Sequence, residues 1–240
     1  MKYSLEDIFG GWVKVLEKAL FSKDFVDLLE YLTQEYDEKT VYPDKMDIFL
    51  PFRLVDPKDV KVIILNNYPY TSNYTTGVPL GVEDTSKIPT DLNKIIEALN
   101  TTYETGKLSY QGDINDFDYS LRHWFMQGVL VLNVCGTSIR GNVSIHRKKW
   151  TNFMQLVLNE ISEYDPNILV CAWGPITRKL LKSLDQEFID TLYCLHPSQS
   201  NTCNSSWSCD HFYRINEKLI EMGETEINWI NDECVCELTN

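Results

Sequence analysis

The residues best suited to chemistry stand where runs of apolar, β-branched side chains stop. They are asparagines and a histidine, each close behind such a run: Asn66, Asn67, Asn133 and His196. A carboxamide offers a hydrogen-bond donor and an acceptor together, so it can recognise a partner group that presents both. In open α/β sheets, the residues that follow the carboxyl ends of strands usually carry the chemistry. An ordinary strand-to-loop turn would place the same residue types there, and both interpretations stay open at this point.

The elements that position these residues follow from the hydrophobic pattern. Four apolar runs predict strands, over residues 60–65, 129–132, 168–172 and 192–195. Helical spacing predicts two helices before residue 33, one that begins with a Thr90-Asp91 cap, and others over 121–126, 150–158 and 179–184. Strands that alternate with helices predict a parallel sheet with helices on both faces. The predicted fold is therefore a single α/β domain over residues 1–240, with a central four-stranded parallel sheet and a short acidic tail from about residue 230.

Composition excludes several classes of protein. No stretch of about 18 apolar residues could cross a membrane, and the N-terminus lacks the apolar core of a signal peptide. We therefore expect an intracellular protein without a membrane partner. The seven cysteines include no Cys-x-x-Cys pair, so the spacing indicates neither a disulfide framework nor a standard zinc or iron-sulfur site. No metal and no cofactor are expected.

Charge is unevenly distributed along the chain. The formal net charge of −13 argues against a generally basic nucleic-acid binder. A basic segment nevertheless stands beside His146, and it consists of Arg140, Arg147, Lys148 and Lys149. These four residues, called the basic patch below, are predicted to face nucleic acid if any is bound. A solvated charged loop is the alternative interpretation.

Several motifs in chain order share their residues with one known family. Residues 66–71 read Asn-Asn-Tyr-Pro-Tyr-Thr where that family has Gly-Gln-Asp-Pro-Tyr-His. The other motifs are Trp124 with residues 127–133, Trp173-Gly174 with Lys179, the His-Pro-Ser of residues 196–198, and residues 209–212 with Asn216 and residues 227–229. Together they resemble the uracil-DNA glycosylase family of the family 1 type. The resemblance spans about residues 12–229 and implies that family's fold.

The resemblance also implies roles for individual residues. Members of the family flip a base out of DNA and read its Watson–Crick edge in a pocket. Asn133 would then read uracil, Tyr70 would crowd the position of a thymine methyl group, and His196 would stabilise charge on the departing uracil. The remaining implied positions are Asn67 and Leu80 for base binding, and Ser198 and Ser200 for DNA binding. Asn133, Tyr70 and His196 each have a structural alternative: a turn asparagine, a core aromatic residue and a structural histidine, respectively.

This chain departs from the family at the positions that matter most. Tyr68 stands where the family has its catalytic aspartate, and a phenol with an ordinary pKa near 10 supplies neither an anion nor a competent base at pH 7. Leu80 replaces a base-stacking phenylalanine, and Ser200 falls where an apolar wedge is usual. We also expect the ring of Tyr68 to fill part of the base site or its floor.

Two main hypotheses follow. In the first, which the departures favour, the protein has lost or greatly weakened glycosidic cleavage and binds DNA, or a protein partner in replication or repair. In the second, it is an active uracil-DNA glycosylase of base-excision repair, in which a relocated carboxylate such as Glu83 or Asp84, or substrate assistance, replaces the aspartate. A third and weaker option is an acidic decoy for DNA-binding proteins. DNA, with or without uracil, is the expected partner.

Overall fold

The computed structural model describes residues 4–72, 76–108, 113–199, 207 and 209–231. Within them, the strands are β1 (Val41–Tyr42), β2 (Val62–Asn66), β3 (Val129–Asn133), β4 (Ser138–Ile139), β5 (Leu169–Trp173) and β6 (Thr191–Cys194). Four of these strands form one sheet in the order β3-β2-β5-β6, and every neighbouring pair is parallel. The predicted four-stranded parallel sheet is confirmed. The acidic tail beyond residue 231 and Ser200 lie outside the described residues.

Helices flank this sheet. In chain order they are α1 (Leu5–Phe9), α2 (Trp12–Val15), α3 (Glu17–Leu20), α4 (Lys23–Glu38), α5 (Leu50–Leu54), α6 (Thr90–Glu104), α7 (Arg122–Met126), α8 (Arg147–Tyr164), α9 (Pro175–Leu181) and α10 (His211–Glu221). No helix among the described residues is long and apolar enough to cross a membrane.

Three details of the predicted helices are wrong. The N-terminal pattern forms four helices instead of two, and α1 ends at Gly10, whose φ of 52° stops the helix there. Helix α6 is preceded by Pro89 and has no side-chain cap, so Thr90 is its first residue and not its cap. Helix α9 begins at Pro175, because proline is well suited to the first turn of a helix.

The sheet is buried because its strands are apolar throughout. The side chains of β2 from Val62 to Leu65 have no exposed surface, and the strand pairs with β3 on one side and β5 on the other. Such continuous apolar runs are typical of parallel strands covered on both faces. The register places Asn66 directly opposite Asn133, so the two asparagines share the carboxyl edge of the sheet.

A glycine brings the histidine to the same edge. Gly174 follows β5 with a φ of +102°, and a Cβ atom there would lie 3.0 Å from the Cβ atom of His196. Only glycine combines this backbone conformation with so close an approach. The end of β5 therefore leaves room for the residue that follows β6, and His196 lies on the same side of the sheet as Asn66.

Candidate functional site

The side chain of Asn66 connects the two residues on which the predicted site depends. Its Nδ2 atom donates to Oδ1 of Asn133 over 2.7 Å, and its Oδ1 atom accepts from Nε2 of His196 over 2.7 Å. The same Nδ2 atom donates to the carbonyl oxygen of Tyr68 over 3.1 Å. Asn66 is only 2% exposed. One carboxamide thus spans the space between the asparagine of β3 and the histidine behind β6.

His196 is held as a neutral donor toward this space. Its Nδ1 atom accepts from the Ser198 backbone N–H over 3.2 Å and lies 2.8 Å from the Ser198 hydroxyl. Nδ1 therefore carries the lone pair, and Nε2 carries the proton donated to Asn66. Burial lowers the pKa of His196 to about 4, so the ring is neutral at pH 7.

Tyr68 lies at the end of β2 beside the basic patch. It is half-buried and packs against the core. Burial raises the pKa of its phenol, while the charge of Arg147 and a hydrogen bond from it oppose that rise. The phenol remains protonated at pH 7. The prediction that its ring fills part of the base site or its floor stays a prediction, and the side chain between Asn133 and His196 is that of Asn66.

A cavity lies next to Asn133. Its wall includes Tyr70, Leu80 and Asn133, three of the residues predicted to bind a base, together with apolar core residues such as Leu132 and Trp150. Leu80 is 2% exposed and has a left-handed backbone with a φ of 67°, which is uncommon for a branched residue. The irregular segment around Leu80 thus lines this cavity.

Asn67 brings an unsatisfied acceptor to this edge. The backbone carbonyl of Asn67 accepts from the Cys135 N–H over 3.1 Å, whereas its side-chain Oδ1 is buried and has no hydrogen-bond partner among the described residues. Its Nδ2 atom lies 3.5 Å from the position of a Cβ atom on Gly174. A buried acceptor without a donor is costly in a folded protein and often marks a ligand position.

The two carboxylates suggested as replacements for the aspartate are engaged elsewhere. Glu83 has a side chain that is 68% exposed and forms an ion pair with Arg122 at 3.9 Å. Asp84 caps a short 3₁₀ turn by accepting from the Ser86 N–H over 2.9 Å, and this bonding lowers its pKa. Neither residue contacts Asn66, Asn133 or His196 in any described interaction. The geometry does not favour relocation of the carboxylate to this loop.

The basic patch stands over a buried polar network. Its four residues are exposed, and Lys149 places its ammonium 5.2 Å from the ring centre of Tyr31. His146, the buried residue before α8, lies between Glu35 at 3.0 Å and the Thr137 hydroxyl at 2.9 Å. This network fixes the start of α8, where Arg147 is the first residue. Arg147 forms a hydrogen bond with Tyr68, so the basic patch lies at the edge of the candidate site.

Comparison with curated proteins shows the family. No family model matches the chain. A uracil-DNA glycosylase of Buchnera aphidicola is 30% identical over 221 residues, which cover 91% of this chain and 97% of that protein. The chain belongs to the uracil-DNA glycosylase family. Other uracil-DNA glycosylases are similar along most of the chain: that of Enterococcus faecalis is 28% identical over 232 residues (96% of this chain, 99% of that protein), and the human enzyme is 28% identical over 224 residues (92% and 69%).

Solved structures of uracil-DNA glycosylases share the fold. The mimivirus uracil-DNA glycosylase superposes with a TM-score of 0.77 at 20% identity, covering 91% of this chain and 86% of that one. A variant of the mimivirus enzyme in complex with UGI has a TM-score of 0.79 at 20% identity and covers 95% of this chain and 91% of that one. These matches agree with the single α/β domain described above.

Sequence reasoning named Asn66 among the residues suited to chemistry but assigned it no specific role in the site. It occupies the position of the family's glycine, so the resemblance gave it no role, although its place at the end of a buried strand was visible. Ser198 is predicted to bind DNA, and its described contacts are with His196. The structure therefore gathers Asn66, Asn133 and His196 into one constellation, with Asn67, Tyr68 and Tyr70 around it.

Proposed function

We propose that this protein recognises uracil in DNA and excises it slowly, as a uracil-DNA glycosylase that works without the family's carboxylate. The observation that carries the proposal is the pair of hydrogen bonds made by Asn66. Its carboxamide presents an N–H to Asn133 and a C=O to His196. The imide edge of uracil presents an adjacent N–H and C=O of the same kind, so the same two residues suit that edge.

Discrimination against cytosine follows from the same arrangement. Oδ1 of Asn133 needs a donor on the base, and cytosine has no proton on the corresponding ring nitrogen. A base that leaves a buried polar group unpaired loses about 1–3 kcal/mol of binding free energy. Tyr70 beside Asn133 lines the wall where a thymine methyl group would have to fit. The pocket thus favours uracil over the normal pyrimidines of DNA.

Bond cleavage would rely on the leaving group. As the bond between the sugar and N1 breaks, the electron pair moves onto uracil, and negative charge develops on its carbonyl oxygen. His196 is neutral and carries its proton on Nε2. It can therefore donate a hydrogen bond to this oxygen and stabilise the charge. Donors of this kind typically contribute about 10²- to 10³-fold in rate. A water molecule then attacks the sugar cation and loses a proton to solvent, and the uracil anion takes up a proton from solvent.

Without a carboxylate, cleavage of the glycosidic bond should be slow. Tyr68 is a neutral phenol, so no described side chain beside the sugar position provides an anion for the cation or a base for water. The reaction should therefore be far slower than that of relatives with the aspartate. The second candidate function, binding of DNA or of a protein partner in replication or repair without cleavage, is favoured by Tyr68 and by the position of Asn66 between the two reading residues.

A cleavage assay separates these functions. The protein is produced in a host that lacks its own uracil-DNA glycosylase and is incubated in excess with single-stranded DNA that carries one uracil. Abasic sites are then revealed by alkali. Excision that His196→Ala lowers by about 10²- to 10³-fold supports the proposal.

Thymine-containing DNA of the same sequence serves as the control for recognition. Tight uracil-dependent binding without abasic sites would favour the non-catalytic candidate. Equal binding of both DNAs, together with no excision, would contradict uracil recognition altogether.

A further inference from the structure

Three metal-ligating side chains meet near the strand that leads to His196. They are Cys194, the last residue of β6, together with Cys209 and His211 at the start of α10. One sulfur from each cysteine and one ring nitrogen all lie within 4.8 Å of one another. The thiol of Cys209 is hydrogen-bonded to Cys194. No spacing motif reveals this cluster, because Cys194 lies on a different element from Cys209 and His211.

We propose that Cys194, Cys209 and His211 bind one Zn²⁺ ion. Two thiolates and one imidazole are the ligand types that select zinc, and three protein ligands with a fourth, open position form a common tetrahedral site. Binding replaces the protons of the two thiols with the metal and releases both to solvent, with no change of oxidation state. Cys209 and His211 are buried and Cys194 is half-buried.

His211 has the surroundings of a metal ligand. Its Nδ1 atom lies 3.2 Å from the Nε1–H of Trp173, which is a donor only, so Nδ1 carries the lone pair that a metal requires. The other ring nitrogen donates to the backbone carbonyl of Tyr193. Metal-bound histidines commonly donate their second N–H to a carbonyl in this way, which fixes the tautomer and the ring orientation.

Binding at Nδ1 displaces the Trp173 hydrogen bond, and this gives the site an optical signal. Trp173 is fully buried and packs edge-on against Trp207 at a centroid distance of 5.0 Å. Trp207 in turn donates to the carbonyl of Leu195 over 2.7 Å. A metal at the cluster therefore changes the polarity around an indole pair.

The metal would join two different elements of the fold. One residue separates Cys194 from His196, whereas Cys209 and His211 lie at the start of α10. A bond from each side to one ion fixes the end of β6 against α10. The expected result is a more stable protein whose histidine loop is anchored from behind.

The test is a metal titration of the full chain. The reduced, chelator-treated protein is titrated with Co²⁺ and then with Zn²⁺, while thiolate-to-metal absorption and tryptophan fluorescence are followed. We expect one equivalent to bind with a coupled change in both signals. Cys194→Ser and Cys209→Ser should each weaken binding by at least about 100-fold, and His211→Asn by at least about 10-fold. Cys135→Ala, which removes a buried thiol outside the cluster, should bind as the wild type does.

Thermal unfolding keeps the proposal testable if a variant folds poorly. Zinc should raise the Tm of the wild type and of Cys135→Ala but leave that of Cys194→Ser unchanged, because a ligand stabilises only a state that binds it. Wild-type protein that binds Co²⁺ no better than Cys194→Ser overturns the site. So does a Cys194–Cys209 disulfide found in protein purified under nitrogen.

Discussion

The Nδ2 atom of Asn66 lies 2.7 Å from Oδ1 of Asn133, the atom to which the proposed function assigns the edge of a base. If Asn133 reads a base as proposed, the base must displace this contact first. Each internal hydrogen bond is worth about 1 kcal/mol net, so the two bonds of Asn66 to Asn133 and His196 compete with uracil by about 2 kcal/mol.

Removing this competitor should strengthen uracil binding. We predict that Asn66→Gly tightens binding of uracil-containing single-stranded DNA about 10-fold or more and leaves thymine-containing DNA unchanged, as measured by fluorescence anisotropy. The variant should lose about 1–3 kcal/mol of unfolding free energy. Asn66→Leu keeps the side-chain volume without polar atoms, and it should show no gain. No gain in Asn66→Gly would mean that Asn66 does not compete with the base, and equal gains in both variants would mean that it competes through its hydrogen bonds alone and not through its volume.

A carboxylate at position 68 should accelerate excision. We predict that Tyr68→Asp raises the single-turnover rate on uracil-containing DNA by at least about 10-fold at pH 7, since an anion then faces the cationic sugar. The nearby Arg147 keeps the new carboxylate ionised. Tyr68→Asn removes the ring without adding charge and serves as the control. If both variants gain equally, the obstacle is the size of the ring and not the missing charge.

Stability should fall as His196 is forced to accept a proton. Its pKa is lowered from 6.5 to about 4 in the folded protein, so the unfolded chain binds the extra proton between these values. The stability that depends on a neutral His196 is fully present above pH 6.5 and is lost as the pH falls to about 4. The loss in unfolding free energy is at most about 3 kcal/mol. The pKa of His211 is lowered in the same direction by burial. Urea unfolding from pH 7 to pH 4 should show a slope that His196→Gln reduces but does not abolish.

The basic patch should govern the salt dependence of DNA binding. We predict that Arg140→Glu and Lys148→Glu each weaken binding at low salt. Each should also reduce the slope of log K against log[salt] by about 0.7 for every phosphate of a single strand that is no longer neutralised. Exposed Lys14 lies outside the patch, so Lys14→Glu is the matched control. An unchanged slope in both patch variants would place the DNA elsewhere.

The buried carboxylate under α8 should be important for stability. Glu35 bonds Lys39 at 2.7 Å and His146 at 3.0 Å, with a side chain only 8% exposed. We predict that Glu35→Gln lowers the unfolding free energy by about 1–3 kcal/mol, because the buried His146 loses its carboxylate partner. Lys39→Met removes the more exposed partner and should cost about 1 kcal/mol or less. Chemical denaturation of both variants provides the comparison.

The sheet could be predicted from the sequence because each strand is a short apolar run whose type does not depend on distant contacts. Residues 62–65 and 129–132 are β-branched or leucine throughout, and both runs form strands. The positions of the predicted strand ends also indicated that Asn133 and His196 share one edge of the sheet. Helix boundaries were less predictable, since Gly10 and Pro175 changed where helices end or begin.

The remaining features depend on tertiary contacts that no local pattern records. Asn66 matters because parallel pairing sets it opposite Asn133 and the glycine after β5 lets His196 approach. Cys194 and His211 meet only once the fold brings the end of β6 to the start of α10. The pairing of Glu35 with His146 joins residues from opposite halves of the chain, and their spacing carries no signal.

The two residues that the proposed function assigns to uracil lie at opposite edges of the sheet. Asn133 ends one edge strand, β3, and His196 follows the other, β6, whereas Asn66 ends an inner strand. Edge strands open locally at a lower free energy than strands paired on both sides. An opening of β6 would carry His196 away while Asn66 and Asn133 stay in register. If Asn133 and His196 act on uracil as proposed, that transient state still binds the base at Asn133 but cannot support its departure, and amide exchange at Leu192 and Cys194 would report how often it forms.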